Sequence, residues 1–146
     1  MIDSKLLEAA ANWWAEQISG HKLNWDNGAQ NEGSAEDRRI GNMMWMLGNI
    51  NANSAREGVT SEKLQKFKES LIRRVSERYE NSVKHYPEYY VTLSVDYGPD
   101  ELLYESAKEA EIDSNVFPCK TVMWIDQEKV TTRLGYGAQE KIIAQV

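Results

Sequence analysis

Nucleophilic chemistry in this chain would start at Cys119, its single cysteine. A catalytic thiol needs a neighbouring base, and the candidates are the two histidines, His21 and His85. The adjacent Lys120 would lower the pKa of the thiol and so favour the reactive thiolate. Neither histidine lies in a recognisable catalytic motif. A cysteine-dependent enzyme is therefore one hypothesis, but we do not expect an enzyme.

A second candidate group is a row of carboxylates, because Glu101, Glu105 and Glu109 recur every four residues. On a helix this spacing places them on one exposed face, where like charges repel weakly. Such a row forms no pocket for acid–base hydrolysis, but it can dock onto a basic protein surface. Together with Asp100, these three glutamates are the predicted partner-binding residues.

Basic residues are concentrated just before the acidic ones. The segment 61–86 has seven Lys or Arg against four acids, whereas the segment 88–113 has eight acids against one base. Four basic side chains are predicted to bind an anion, either a nucleotide phosphate or the acidic segment of a second copy in a homo-oligomer. They are Lys66, Arg73, Arg74 and Arg78. For both charged sets, a solvated helix face is the alternative.

Aromatic and sulfur-containing residues offer further binding modes. Trp13 and Trp14 either pack in the core or stack on a base or nucleotide. The three methionines and one tryptophan at 43–46 form either core or an adaptable groove for a partner. The polar residues at 24–32 lack the spacing of a calcium loop, and zinc spacing is absent, so no metal and no cofactor are predicted.

Composition limits the class of protein. A length of 146 residues with 41% hydrophobic residues fits one domain, 1–146, with a helical half over 1–86 and a β-α-β-β half over 87–146. The net charge of −6 argues against direct nucleic-acid binding. A lone cysteine favours a reducing compartment, and the sequence contains neither a membrane-spanning apolar run nor a signal peptide. We therefore expect a cytoplasmic protein.

Apolar periodicity predicts three helices before the first strand. The first is capped by Asp3 or Ser4 and extends to Ile18, with Gly20 as its stop. The second begins at Ser34 and extends to Ile50. The third begins at Thr60 or Ser61 and extends to about Lys84, since Pro87 excludes further helix.

The period changes after Pro87. Residues 90–97 alternate between two faces, which predicts a strand, and Pro99 suits the first position of a fourth helix. Strands at 121–125 and 130–136 follow, joined by a four-residue turn, and the tail 139–146 packs against the sheet or a second copy. The predicted fold is α+β, with three N-terminal helices followed by β-α-β-β. The helices would pack on one face of a small three-stranded sheet.

Several blocks resemble small proteins carried by bacteriophages and by mobile elements of gut bacteria. These blocks are Trp13-Trp14, Asp26-Asn27-Gly28, Val95 to Pro99, Phe117 to Ile125 followed by Val130, and Gly135-Tyr136-Gly137. The resemblance implies an anti-defence setting in a bacterial host cell, such as that of anti-CRISPR proteins, and assigns no catalytic residue.

Three functional hypotheses follow from these patterns. The first is a non-enzymatic interaction protein, an inhibitor of a bacterial defence or nucleic-acid-handling enzyme, whose acidic surface meets a protein partner with a basic surface. The second is a nucleotide-binding protein that combines aromatic stacking with the basic helix. The third is the cysteine-dependent enzyme. The charge asymmetry favours the first.

Overall fold

A computed structural model describes residues 1–19, 58–135 and 137–146. The helices are α1 (Ser4–Ile18), α2 (Ser61–Val83) and α3 (Glu101–Glu109), and the strands are β1 (Val91–Val95), β2 (Thr121–Ile125), β3 (Lys129–Leu134) and β4 (Lys141–Gln145). A short 3-10 helix at Ser114–Val116 precedes β2. The predicted features at Gly20, His21, 24–32, Asp26-Asn27-Gly28, the second helix at 34–50, the methionines at 43–46 and Tyr136 lie outside the described residues.

The sheet has four strands, so the predicted three-stranded sheet and the β-α-β-β order are wrong. All neighbouring strands are antiparallel, in the order β1, β2, β3, β4. The described elements follow the order α-α-β-α-β-β-β, and the last strand comes from the apolar tail. The register of β4 shifts opposite Val130 and Thr131. Because this irregularity breaks the period of two, the tail carries no clean strand pattern.

Each described helix begins at a side-chain cap. The caps are Asp3, Thr60 and Asp100, and each accepts a backbone N–H of the first helical turn. Pro99 therefore precedes the cap of α3 and does not occupy the first helical position, contrary to the prediction. The apolar spacing of α2 was read correctly, since Phe67, Leu71, Val75 and Tyr79 are buried on one side.

The core lies between the helices and the face of the sheet formed by alternate strand residues. Leu93 on β1 and Met123 on β2 are fully buried there, and they lie directly opposite each other in the register of the two strands. Trp14 is also fully buried, and its indole Nε1 donates to the sulfur of Met123 at 3.2 Å. The core alternative is therefore the right one for Trp14, which joins α1 to the sheet.

The three helices contact different parts of the sheet and of one another. α1 packs against α2 and against β3 and β4, while α2 packs against α3 and β1. As a result, α1 lies towards the β4 side and α2 with α3 towards the β1 side. None of the described helices is both long enough and apolar enough to cross a membrane.

Candidate functional site

The predicted acidic and basic residues contact each other within one chain. The Glu109 carboxylate on α3 accepts hydrogen bonds from Arg73 at 2.6 Å and from Arg74 at 3.2 Å, both on α2. Arg78 forms a longer ion pair with Glu101, at 3.7 Å. Two of the predicted partner-binding acids therefore face three of the predicted anion-binding residues. The asymmetry of charge along the sequence largely cancels where α2 meets α3.

Ser70 completes this cluster from the buried side of α2. Its hydroxyl donates to the Glu109 carboxylate and accepts from Arg74 Nε at 3.1 Å. The hydrogen bonds from Ser70, Arg73 and Arg74 lower the pKa of Glu109 from 4.5 to about 2, so the carboxylate is ionised at neutral pH. Sequence reasoning missed Ser70. The sequence signal that could have indicated Ser70 is its position on the apolar side of α2, between Phe67 and Arg74.

Asp100 is built into the fold. Its carboxylate accepts from the backbone of Leu103, at 3.1 Å, and from the backbone of Ser94 at the edge of β1, at 2.7 Å. The backbone N–H of Asp100 donates to the Ser94 carbonyl at 2.9 Å. Burial raises the pKa of Asp100, and the hydrogen bonds to Leu103 and Ser94 oppose that effect. Asp100 therefore caps α3 and occupies the outer backbone groups of Ser94.

Two predicted site residues, Glu105 and Lys66, form no ion pair within the part of the chain that the structure describes. Lys66 is exposed and Glu105 is half-buried. Tyr104 lies beside Glu105 on α3 and is 43% exposed. Sequence reasoning treated this face as purely charged and missed the tyrosine, although its spacing from Glu101 places both on one side of the helix.

The thiol of Cys119 is poorly suited to nucleophilic chemistry. Burial raises its pKa. The positive charge of Lys120 lowers the pKa, but by less than burial raises it. The predicted lowering by Lys120 is therefore present but outweighed. Lys120 also pairs with the carboxylate of Asp96. The candidate base His85 is exposed just beyond α2, and no hydrogen bond joins it to the thiol among the described residues.

A cleft of about 360 Å³ opens between α1, β3, β4 and the loop that joins these two strands. Its apolar walls include Trp13, Leu134 and Ile143. The ring of Trp13 packs edge-on against the buried Trp14, with 4.9 Å between the ring centroids. Trp13 is itself half-buried, so this contact to the core positions an indole that still lines the cleft.

Two buried polar side chains line the same cleft. Gln17 is 9% exposed and Thr132 is 4% exposed, and within the described residues neither side chain has a hydrogen-bond partner. The fully buried side-chain atoms without a partner among the described residues are Glu80 Oε1 and Arg133 Nε. The polar atoms of Gln17 and Thr132 are not of this kind, so water or a ligand can reach them. Gln139 adds a second amide, and Lys141 is the one charged side chain among the described lining residues.

These residues can bind the polar edge of an organic molecule rather than a metal. Gln17 and Gln139 each carry both donors and an acceptor, and Thr132 carries a hydroxyl that does both. No group of three or more side chains suited to a metal ion forms within the described ranges. Among the described residues, a cofactor could contact these amides, the hydroxyl, the Lys141 amine and the apolar walls.

One member of the cleft, Trp13, was considered in the sequence analysis, with core packing or stacking as its two alternatives. Gln17 had a weak signal, because it falls three residues after Trp14 on the buried side of α1. Thr132 and Lys141 face each other across β3 and β4, and the second of these strands was not predicted. The arginines of α2 are not among the residues that line this cleft. The structure therefore does not bring the basic helix and Trp13 into one site.

Comparisons with known proteins add a structural likeness. No protein-family model and no curated protein matches the chain. Among solved structures, the BTG/Tob domain of C. elegans FOG-3 matches with a TM-score of 0.48 and 17% sequence identity, over 70% of this chain and 88% of that one. We assign no residue role from this likeness. The resemblance to small bacteriophage proteins stays a prediction, because none of these comparisons bears on it.

Proposed function

We propose that this protein binds a small organic ligand in the cleft between α1 and the β3–β4 pair. The main support is a cleft of about 360 Å³ that combines apolar walls with the polar side chains of Gln17 and Thr132, neither of which has a described partner. Ligand sites commonly combine a volume of this order with apolar walls and a few convergent polar groups. A ligand in the cleft can hydrogen-bond to the Gln17 amide and the Thr132 hydroxyl.

The lining chemistry favours a planar, hydrogen-bonding heterocycle that carries a negative charge, the class to which nucleotides belong. The indole of Trp13 offers a stacking surface, and the amides of Gln17 and Gln139 offer donors and acceptors for the edge of a base. The Lys141 amine offers a partner for a phosphate or carboxylate. In this site Lys141 replaces the basic helix of the original nucleotide hypothesis, since the arginines nearest α3 contact Glu109.

Thermal unfolding with a panel of nucleoside monophosphates, the matching nucleosides and inorganic phosphate tests this proposal. A ligand at a hundred times its Kd stabilises the folded state by about 2.7 kcal/mol. For a chain of this size, each kcal/mol raises Tm by about 2–4 °C. We expect at least one nucleotide to raise Tm by several degrees, and its nucleoside to raise Tm by less. Absence of a shift with every nucleotide would contradict the proposed ligand class.

Two variants locate the site. Gln17→Leu keeps the size of the side chain but removes the amide, so it should reduce the shift for nucleotide and nucleoside alike. Lys141→Gln should reduce the shift for the nucleotide only. Lys129→Gln is the matched control, because Lys129 is a strand lysine that is not among the lining residues. Equal shifts in Gln17→Leu and the unmodified protein would place binding elsewhere.

A second candidate function is the docking of a basic protein partner on the exposed face of α3. Tyr104 supports it, because it is 43% exposed beside Glu101 and Glu105, and tyrosine is enriched at binding interfaces. Glu109 adds less negative charge, since the arginines of α2 pair with it. The identity of the partner as a bacterial defence enzyme stays a prediction.

Pull-downs from a bacterial lysate test this second function. The Glu101→Lys, Glu105→Lys double variant reverses the charge around Tyr104, and should lose a partner that the unmodified protein holds at low salt. High salt should weaken the unmodified complex, because exposed charges are screened. Lys66→Glu serves as the control on α2. A partner retained equally by both proteins at every salt concentration would contradict docking through this face.

A further inference from the structure

The polar side chains of the cleft come from two different walls. Trp13 and Gln17 lie one turn apart on α1, so they share one side of the helix, with about 5–6 Å between their Cβ atoms. Thr132 on β3 and Lys141 on β4 lie directly opposite each other in the register of the two strands. Residues paired in this way have Cβ atoms about 4.5–5.5 Å apart. The helix therefore supplies an indole and an amide, whereas the strands supply a hydroxyl and an amine.

Thr132 has one polar residue directly across from it in the sheet. Its partners in the register are Met123 on β2 and Lys141 on β4. Met123 is fully buried, and its sulfur accepts the indole N–H of Trp14. Within the described residues, Lys141 forms no ion pair and the Thr132 hydroxyl has no hydrogen-bond partner. Since the lysine side chain is long and flexible, its amine can approach a ligand atom that the hydroxyl holds.

We propose that Thr132 and Lys141 form an oxyanion subsite, which binds the phosphate of the ligand while its heterocycle binds to α1. This inference rests on the nucleotide proposal and deepens it, because it divides the cleft into two subsites. The lysine amine supplies positive charge and N–H donors, and the threonine hydroxyl supplies a further donor. Hydrogen bonds to an ionised oxygen are about twice as strong as those between neutral groups. Thr132 therefore discriminates a nucleotide from its nucleoside.

The same placement argues against a role for Thr132 in reading the heterocycle. The stacking surface of Trp13 and the amide of Gln17 are both on α1, where the edge of a stacked base meets the amide. The hydroxyl of Thr132 lies instead beside the amine of a cross-strand lysine. A donor in this position contributes most when it shares an anionic oxygen with the cation.

Titration calorimetry with the common ribonucleoside 5′-monophosphates, their nucleosides and inorganic phosphate tests the subsite on the full chain. Thr132→Val keeps the shape of the side chain and removes the hydroxyl. We expect it to raise the Kd of the bound monophosphate about tenfold, as for the loss of one hydrogen bond to a charged group, and to leave nucleoside binding unchanged. Thr131→Val is the matched control, because Thr131 lies opposite Ile142 and is not among the lining residues.

Two further variants sharpen the test. Thr132→Ser keeps the hydroxyl and should bind the monophosphate as the original protein does, whereas nucleoside binding by Thr132→Val verifies that its cleft is folded. Lys141→Gln combined with Thr132→Val should weaken monophosphate binding by less than the product of the two single effects. Residues that act on one phosphate are coupled in this way, and independent residues are not.

The outcomes separate this inference from the nucleotide proposal. A monophosphate that binds the original protein and Thr132→Val equally would overturn the subsite and leave the ligand class standing. Equal weakening of monophosphate and nucleoside in Thr132→Val would do the same, because the hydroxyl would then read the heterocycle. If no monophosphate binds the original protein, the ligand class is wrong, and inorganic phosphate decides on the subsite. Phosphate that binds the original protein but not Thr132→Val would support it, and any other result would overturn it.

Discussion

The polar groups near the β1 edge of the sheet have partners, whereas those of the cleft near the β4 edge have none among the described residues. On the β1 side, Ser70 and two arginines satisfy the Glu109 carboxylate, and Asp100 occupies the strand edge. On the β4 side, Gln17 and Thr132 are buried without described partners. The difference teaches that conspicuous charges of the sequence pair with one another where α3 meets α2. We place binding on the other side, where the polar side chains of Gln17 and Thr132 line a cleft.

The largest effect that would test this comparison concerns apolar packing. Leu103 on α3 is fully buried, so Leu103→Ala should lower the free energy of unfolding by about 2–5 kcal/mol. Leu134 lines the cleft and is half-exposed, so Leu134→Ala should cost less than half as much. Urea unfolding of both variants measures the two values. Equal losses would show that the cleft side is packed as tightly as the α3 side.

The next effect concerns the closed strand edge. Asp100→Ala removes the cap of α3 and the acceptor for Ser94, and should lower the free energy of unfolding by about 1–2 kcal/mol. Asp100→Asn should retain most of the stability, because asparagine is also a good cap. Urea unfolding compares the two. If both variants were as stable as the original protein, Asp100 would not contribute to stability as the cap of α3 and the acceptor for Ser94.

The sign of the change in the free energy of unfolding, compared between two variants, tests the polar groups directly. Ser70→Ala leaves Arg74 and Glu109 with one partner fewer, and should lower the free energy of unfolding by about 1 kcal/mol. Gln17→Leu removes a buried amide that has no described partner, so without ligand it should be neutral or stabilising. Thermal unfolding of both variants reveals the signs. Destabilisation by Gln17→Leu comparable with that of Ser70→Ala would abolish the contrast between the two sides.

The smallest expected effect is the pH dependence of the Glu109 cluster. The folded pKa of about 2 lies below the ordinary value of 4.5, so the stabilisation from this group is full above pH 4.5 and is lost as pH falls towards 2. The difference in Tm between the original protein and Glu109→Gln should therefore shrink over this range. Solvent screens the half-exposed pair, so the difference stays small.

Asp100 affects the pH dependence of stability in the opposite direction to Glu109. Its contribution cancels when the Tm of Glu109→Gln is subtracted from that of the original protein. Its folded pKa is raised, so its favourable term is present below the ordinary value of 3.8 and is lost as pH rises through the raised value. Both proteins contain Asp100, and only one contains Glu109. A Tm difference that stays constant from pH 5 to pH 2 would show that Glu109 is not linked to folding.

Local patterns in the sequence were enough to predict the described helices and three of the strands. The spacing of Phe67, Leu71, Val75 and Tyr79 predicted the buried side of α2, and alternation predicted β1, β2 and β3. These signals depend only on residues that are neighbours along the chain, because helices and strands have fixed periods. β4 was not predicted, because the register shift opposite Val130 disturbs that period.

The candidate site was much less accessible to sequence reasoning. Core packing and stacking were both considered for Trp13, but Gln17, Thr132 and Lys141 come from three separate elements, and only their packing forms the cleft. The partners of the charged residues were equally hidden. Glu109 lies more than thirty residues from Arg73 and Arg74, a separation at which no helical spacing rule applies.

The amino-acid sequence by itself determined the α+β character, the boundaries of α1 and α2, and the caps at which these two helices can begin. Tertiary structure alone decided which charges cancel, which strand edge is closed, and which polar groups are left without partners. The physical reason is that periodicity and capping act within a few residues, whereas hydrogen-bond satisfaction depends on groups that meet only when the chain folds.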